Sequence, residues 1–243
     1  MDSFVFGTHA VMATLKYQPK RAIKLVVQEK LDRPEVLEKA KALRIPVQTW
    51  TKAVFQGKFG ADAVHQGVCL YVQEFPYVDL DEALEKKPTL CVVLDSVEDP
   101  RNLGRAARSA FALGAELLII PKDRAAAVTT TAEKASVGAL ARIPVAQVTN
   151  INRALEQLKE AGLWAIGSSD QARIPAWKCD FTKPVALVIG NEEKGLRKQV
   201  LENCDEMVQI PMSAPDMSLN AADAATVLLY EVRRQRAILN RVQ

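Results

Sequence analysis

The sequence predicts an α/β protein in two parts: a small N-terminal α/β domain, then a larger domain built on a parallel sheet. Three observations lead there. Apolar runs of five residues, such as Leu90–Leu94 and Val185–Ile189, stop at Asp95 and Gly190, as strands buried on both faces do. Stretches of helical period separate such runs. Residues 74–88 hold Pro76 and Pro88 around a charged stretch, which marks a joint. The expected divisions are a domain over residues 1–76, a linker over 77–88 and a second domain over 89–243.

The N-terminal part takes its elements in alternation. Gly7 and Thr8, the latter a helix cap, open a helix to about Leu15. Residues 23–27 form a strand. Pro34 starts a helix carrying Val36, Leu37, Ala40 and Leu43 on one side. Residues 45–50 form a strand, with Ile45 held extended by Pro46. A short helix follows near residues 52–56, and the turn at Gln66 and Gly67 leads into a strand over 69–72. His65 reads equally as a turn residue or as part of a binding surface.

In the C-terminal part, Asp99 caps and Pro100 starts a helix that Gly114 ends. Strands are expected over 116–120, 143–148 and 163–167, and helices over 134–140 and 151–161. A strand over 207–210 stops at Pro211. Ser218 then caps a helix over 219–233. Polar residues Asn191, Glu192 and Glu193 follow the strand ending at Ile189, and ligands of open α/β sheets bind at that end of the strands.

Composition narrows the class. With 49% hydrophobic and 25% charged residues, the chain is of ordinary globular type. Its apolar runs are too short to span a bilayer. No basic region followed by an apolar one opens the chain, so a cytoplasmic protein with no membrane partner is expected. Cys69, Cys91, Cys179 and Cys204 are scattered without paired spacing and are expected as buried free thiols. Two histidines, His9 and His65, argue against a histidine-ligated metal, and no metal is expected. The first 76 residues carry 11 Lys and Arg against 7 Asp and Glu, and the remainder 21 against 22. The basic N-terminal part suits a polyanionic partner.

Three ordered segments carry the chemistry. Asn102, Gly104 and Arg108 form N-x-G-x-x-x-R; Gly190 to Leu196 reads G-N-E-E-K-G-L; and I-P-M at Ile210–Met212 precedes S-L-N at Ser218–Asn220. The set resembles the SpoU (TrmH) branch of the SPOUT RNA methyltransferases. G-T-H-A-V at Gly7–Val11 and H-Q-G-V at His65–Val68 resemble the substrate-binding domain of many such enzymes, which is similar to a ribosomal-protein RNA-binding fold. Family members commonly carry an acidic residue just after the pair at Gly138 and Ala139; Ala141 stands there.

The resemblance implies a SPOUT-type methyltransferase domain with a trefoil knot, acting as a homodimer. Connection rules alone favour an unknotted doubly wound sheet. The implied reaction moves a methyl group from S-adenosylmethionine to a ribose 2′-hydroxyl of RNA. A guanosine of 23S ribosomal RNA is the first expectation, and a transfer RNA the second. Gly190, Ile210, Met212, Ser218 and Leu219 match the family's cofactor positions. Ile210 and Leu219 could sandwich a ring or simply pack in the core. Arg108, Asn102, Glu192 and Asn220 are the catalytic candidates. A guanidinium stays protonated, so Arg108 suits a phosphate clamp and alkoxide stabiliser better than a base. Glu192 would hold Arg108 or the ribose, or serve as a base if buried, Asn102 would orient the nucleotide, and Asn220 would bind substrate or cap the helix. A helix starting at Gly104 would let Asn102 and Arg108 face one cleft. Arg101 and Arg105 suit a solvated face. Arg233, Arg234, Arg236 and Arg241 could touch phosphate or simply end a helix. Two rivals remain: a silent RNA-binding member of the fold, and a dinucleotide enzyme, against which the missing G-x-G-x-x-G counts.

Overall fold

Two sheets organise the chain, of which the computed structural model describes residues 3–60, 65–214 and 217–242. In the first, β1 (Ser3–Phe6), β2 (Ala22–Gln28), β3 (Val47–Trp50) and β4 (Val68–Val72) lie in the order β1-β4-β2-β3. β4 runs antiparallel to β1 and β2, while β3 runs parallel to β2. Helices α1 (Thr8–Tyr17), α2 (Pro34–Ala42) and α3 (Lys52–Phe59) cover it. Strand alternation sorts the faces. Leu25, Val27 and Leu70 pack with Leu15 and Val36, whereas Val26, Cys69 and Tyr71 pack with Phe55.

A short helix, α4 (Leu80–Leu84), capped by the Asp79 carboxylate, leads to the second sheet. Its strands are β5 (Leu90–Leu94), β6 (Leu117–Pro121), β7 (Val145–Val148), β8 (Trp164–Ser168), β9 (Ile174–Pro175), β10 (Val185–Ile189) and β11 (Glu206–Gln209). They lie in the order β7-β6-β5-β10-β8-β11-β9, and every pair is parallel. Helices α5 (Pro100–Ala112), α6 (Thr130–Ala135), α7 (Ile151–Glu160), α8 (Lys198–Glu202) and α9 (Ala221–Val242) complete this part. Leu90, Val92 and Leu94 of β5 meet Leu103, Ala225 and Leu228 on one face; Cys91 and Val93 meet Leu80, Leu155 and Val200 on the other. Apolar side chains on both faces are why these strands read as unbroken runs.

Several local expectations change. Gly7, at φ 85°, precedes α1, so Thr8 is the first helical residue, and its N–H donates to Gln66 Oε1 at 3.0 Å. The helix expected over 134–140 is α6, ending at Ala135, because Val137 (φ 52°) and Gly138 (φ 89°) turn the chain away. The cap of α9 is Asn220, whose Oδ1 accepts from the Asp223 N–H at 2.9 Å. Ser218 lies too early to reach that turn, and α9 continues past Arg233 to Val242.

Arg236 serves the fold rather than a phosphate. Its guanidinium donates to the carbonyls of Thr89, Phe181 and Lys183 at 2.9, 3.1 and 2.7 Å. This ties α9 to the chain entering β5 and β10, and burial pushes the guanidinium's pKa down. Arg234 pairs with Glu231 at 2.7 Å, Arg233 is exposed, and Arg241 lies outside the described side chains. The four cysteines are free, and burial pushes each thiol up to about 12. Among the described residues no helix is long and apolar enough to cross a membrane.

Candidate active site

Parallel strands end on one side of a sheet, and a cleft of about 350 Å³ opens at the carboxyl ends of β8, β10 and β11. Gly190, Glu192, Ile210, Met212, Ser218 and Leu219 all line it. Asn102, Arg108 and Asn220 do not.

The loop after β10 shapes one wall. Asn191 and Gly195 exchange backbone hydrogen bonds at 3.0 and 2.9 Å. The Asn191 side-chain oxygen accepts from the N–H groups of Glu193 and Lys194, and its amide donates to the Ser96 carbonyl. A Cβ on Gly190 would sit 2.3 Å from the Gly195 carbonyl carbon. The glycine is therefore required by the loop's own backbone, and it also lines the cleft. Asp95, fully buried at the end of β5, holds the far end of the loop. Its carboxylate accepts from the Arg197 N–H and Nε, and the ion pair closes at 2.6 Å.

A hydrogen bond joins α5 to this loop: Asn102 Nδ2 donates to Glu192 Oε1 at 2.5 Å. Asp99 caps the helix at the Arg101 N–H, so Asn102 lies in its first turn rather than in a preceding loop. Gly104 is not the helix start. A Cβ there would sit 2.4 Å from the Ala132 carbonyl oxygen, so this glycine lets α5 pack on α6. Six residues beyond Asn102, Arg108 points elsewhere and lines a second cleft with Lys16, Tyr17 and Arg142. Within one chain, the motif arginine and the first cleft are thus not brought together. Arg101, exposed, pairs with Asp99 at 2.9 Å, and that hydrogen bond holds the Asp99 carboxyl below its usual range. Arg105 is exposed.

His65 is structural. Its Nδ1 accepts from the Gly67 N–H at 2.9 Å and its ring stacks on Phe55; burial, with Lys134 nearby, lowers its pKa. Ala141 is buried. The carboxylate of this region belongs instead to Glu133, which pairs with Arg21 of the first domain at 2.8 Å.

The cleft lining is both apolar and polar. Apolar Ile210, Leu219, Met212 and Met217 stand with polar Asp170, Glu192 and Ser218. Met212 and Met217 are 39% and 63% exposed, apolar surface at a rim that a ligand would cover. Among the described residues no group of side chains could hold a metal ion. The sequence reading missed Ser168, Ser169, Asp170 and Gln171, which also line the cleft. Their signal was available, since they are polar residues following an apolar strand, as at Gly190.

The chain is similar to several known proteins. The pattern of the SpoU rRNA Methylase family matches residues 89–230, and that described as RNA 2′-O ribose methyltransferase substrate binding matches residues 4–78. YacO of Bacillus subtilis, named for the TrmH family of tRNA/rRNA methyltransferases, is 41% identical over 96% of each chain. The 23S rRNA (guanosine-2′-O-)-methyltransferase RlmB of Pseudomonas putida is 37% identical over 96% of this chain and 97% of its own. The crystal structure of the SpoU methyltransferase AviRb from Streptomyces viridochromogenes, in complex with the cofactor AdoMet, matches with a TM-score of 0.83 at 29% identity, covering 97% of this chain and 90% of that one. With one pattern spanning most of the second sheet and its helices, and full-length relatives well above 30% identity, the chain belongs to the SpoU rRNA methylase family.

Proposed function

We propose that the chain transfers a methyl group from S-adenosylmethionine to the ribose 2′-hydroxyl of a guanosine in 23S ribosomal RNA. The observation that carries this reading is the cleft at the ends of β8, β10 and β11, whose wall residue Glu192 is tied to Asn102 of the first motif. When bound, S-adenosylmethionine would supply an electrophilic methyl group on a sulfonium, whose sulfur keeps the electron pair of the broken bond and leaves as a neutral thioether. Ile210 and Leu219 would flank its ring, and Ser218 and Met212 would close the rim. Glu192, held by Asn102, accepts a hydrogen bond from a ribose hydroxyl. Arg108 stays protonated, clamps the phosphate and stabilises the alkoxide as it forms. The RNA's own phosphate takes the proton. Asn220 acts through the start of α9, which its side chain caps.

Arg108 does not line the cleft of its own chain. The proposal therefore includes a homodimer in which each cleft receives Arg108 from the other copy. It includes the division into residues 1–76, 77–88 and 89–243, supported by the two sheets and the helix between them. It also includes the trefoil threading, which the family match implies.

The test is to map 2′-O-methyl groups in RNA from cells with and without the gene, and to assay transfer from labelled S-adenosylmethionine by the purified protein. Loss of one guanosine methylation in 23S ribosomal RNA is expected. Loss at a transfer RNA position would move the substrate assignment. Cofactor binding with no transfer to any RNA would leave a silent RNA-binding protein.

A further inference from the structure

A second cleft, of about 450 Å³, lies where the two domains meet. Lys16 and Tyr17 come from α1 of the first domain, Arg108 and Phe111 from α5, and Arg142 from the turns after α6. The approach of these parts is built into the chain. A Cβ on Gly138 would sit 2.5 Å from the Ala13 Cβ, so the glycine lets α1 come close. Thr130 Oγ1 donates to the Phe4 carbonyl at 2.6 Å, a second tie between the domains.

The charge pattern sets this cleft apart. The Arg142 guanidinium lies over two rings, 4.7 Å from the Tyr17 centroid and 4.2 Å from that of Phe111. The Lys16 ammonium lies 5.2 Å from the Tyr17 ring. No Asp or Glu lines the cleft. Among the described residues, no ion pair uses Lys16, Arg108 or Arg142. Three like charges gathered without a carboxylate repel one another, and an anion would relieve them. Aromatic faces interleaved with cations are what a single-stranded nucleic acid needs: phosphates find charge and unpaired bases find rings.

We propose that this cleft is an RNA subsite, holding a phosphodiester and an unpaired base beside the nucleotide whose ribose meets Arg108. Tyr17 and Arg142 are positioning residues that act on the RNA, not on the cofactor. The inference rests on the RNA substrate proposed above and names the side chains that read it. It also makes RNA binding a joint property of both domains, because α1 and α5 both supply lining residues.

The experiment uses the full-length protein and a fluorescent single-stranded oligoribonucleotide. Tyr17→Ala should weaken binding roughly 5- to 100-fold, the range of a lost base stack, and Tyr17→Phe should restore it. Arg142→Ala should lower the slope of log affinity against log salt by about one, and Arg142→Lys should keep the slope. In transfer assays both alanine variants should raise KM for RNA with kcat near wild type, and cofactor affinity by calorimetry should stay unchanged. Folded variants with unchanged RNA affinity and salt slope overturn the subsite. So does a loss of dimer in sedimentation with RNA affinity intact, which would make the cleft a contact between copies. A wild type that binds the oligonucleotide but methylates no RNA would defeat the proposed reaction and leave the subsite to be judged by the binding data.

Discussion

The Arg21 guanidinium reaches across from the first domain to the Glu133 carboxylate of the second, 2.8 Å away. Both residues are buried, and Arg21 also donates to Gln18 Oε1 and the Gln73 carbonyl. Burial raises the Glu133 pKa above its usual 4.5, against the opposing pull of Arg21. A carboxyl with a raised folded pKa holds its proton to higher pH in the folded state than in the unfolded one. Stability should therefore fall as pH rises from 4.5 through the raised value. Thermal melts across that window should show the decline in wild type and not in Glu133→Gln. At neutral pH, Glu133→Ala should cost about 3–5 kcal/mol, because it leaves Arg21 buried without its partner.

The bond from Asn102 to Glu192 joins α5 to the wall of the cofactor cleft. Asn102→Asp would set two carboxylates against each other and should lower kcat by about 10²-fold, a typical loss for one electrostatic contact in an active site. Adding Glu192→Gln returns a donor to the pair and should recover part of that loss. Steady-state kinetics on the single and double variants measure the coupling. Additive losses would mean that the bond does not position Glu192.

Two glycines of the same loop should behave differently. Gly190→Ala places a Cβ against the Gly195 backbone, so it should lower both melting temperature and cofactor affinity. At Gly195, φ is 65° and the space beyond is open. Gly195→Ala should cost only the conformational strain, about 1–2 kcal/mol. Calorimetry and melting curves on both variants separate the two effects.

Arg108→Ala should abolish transfer with cofactor affinity near normal. Arg108→Lys keeps the charge but loses the planar fork, and should rescue little. If the arginine serves the other copy, mixing Arg108→Ala with a cofactor-cleft variant such as Ile210→Asp should restore activity, because each heterodimer then holds one complete site. Verified heterodimers without activity would place both groups in one chain.

The elements that the sequence made legible are those with a strong local signal. β5, β10 and the start of α5 stand where the five-residue apolar runs and the Asp99–Pro100 pair put them. β9 and α8, of two and five residues, are too short to show a period. Ser218 and Asn220 are both good caps by type, and only the turn that forms chooses between them. In the candidate site, the residues at strand ends were legible because the end of a strand is itself a sequence feature. The separation of Arg108 from Asn102 was not, since it depends on which distant segments each side of α5 meets. The cluster of Arg142 with Tyr17 and Phe111 had no local signal, because three distant segments supply it.

The middle of the second sheet has a consequence for synthesis. Leu90 of β5 pairs with Val185 of β10, and β10 also separates β5 from β8. A ribosome adding about 5–20 residues per second needs roughly 5–18 s to make the intervening residues 95–184. Through that time β5 can pair with β6 on one side, but its other edge has no strand to meet. An open edge of Leu, Val and Cys is a template for pairing with other chains. The nascent protein thus passes through an interval in which the centre of its finished sheet is an exposed margin. Crowded polysomes or slowed translation between β6 and β10 should raise its demand for chaperones.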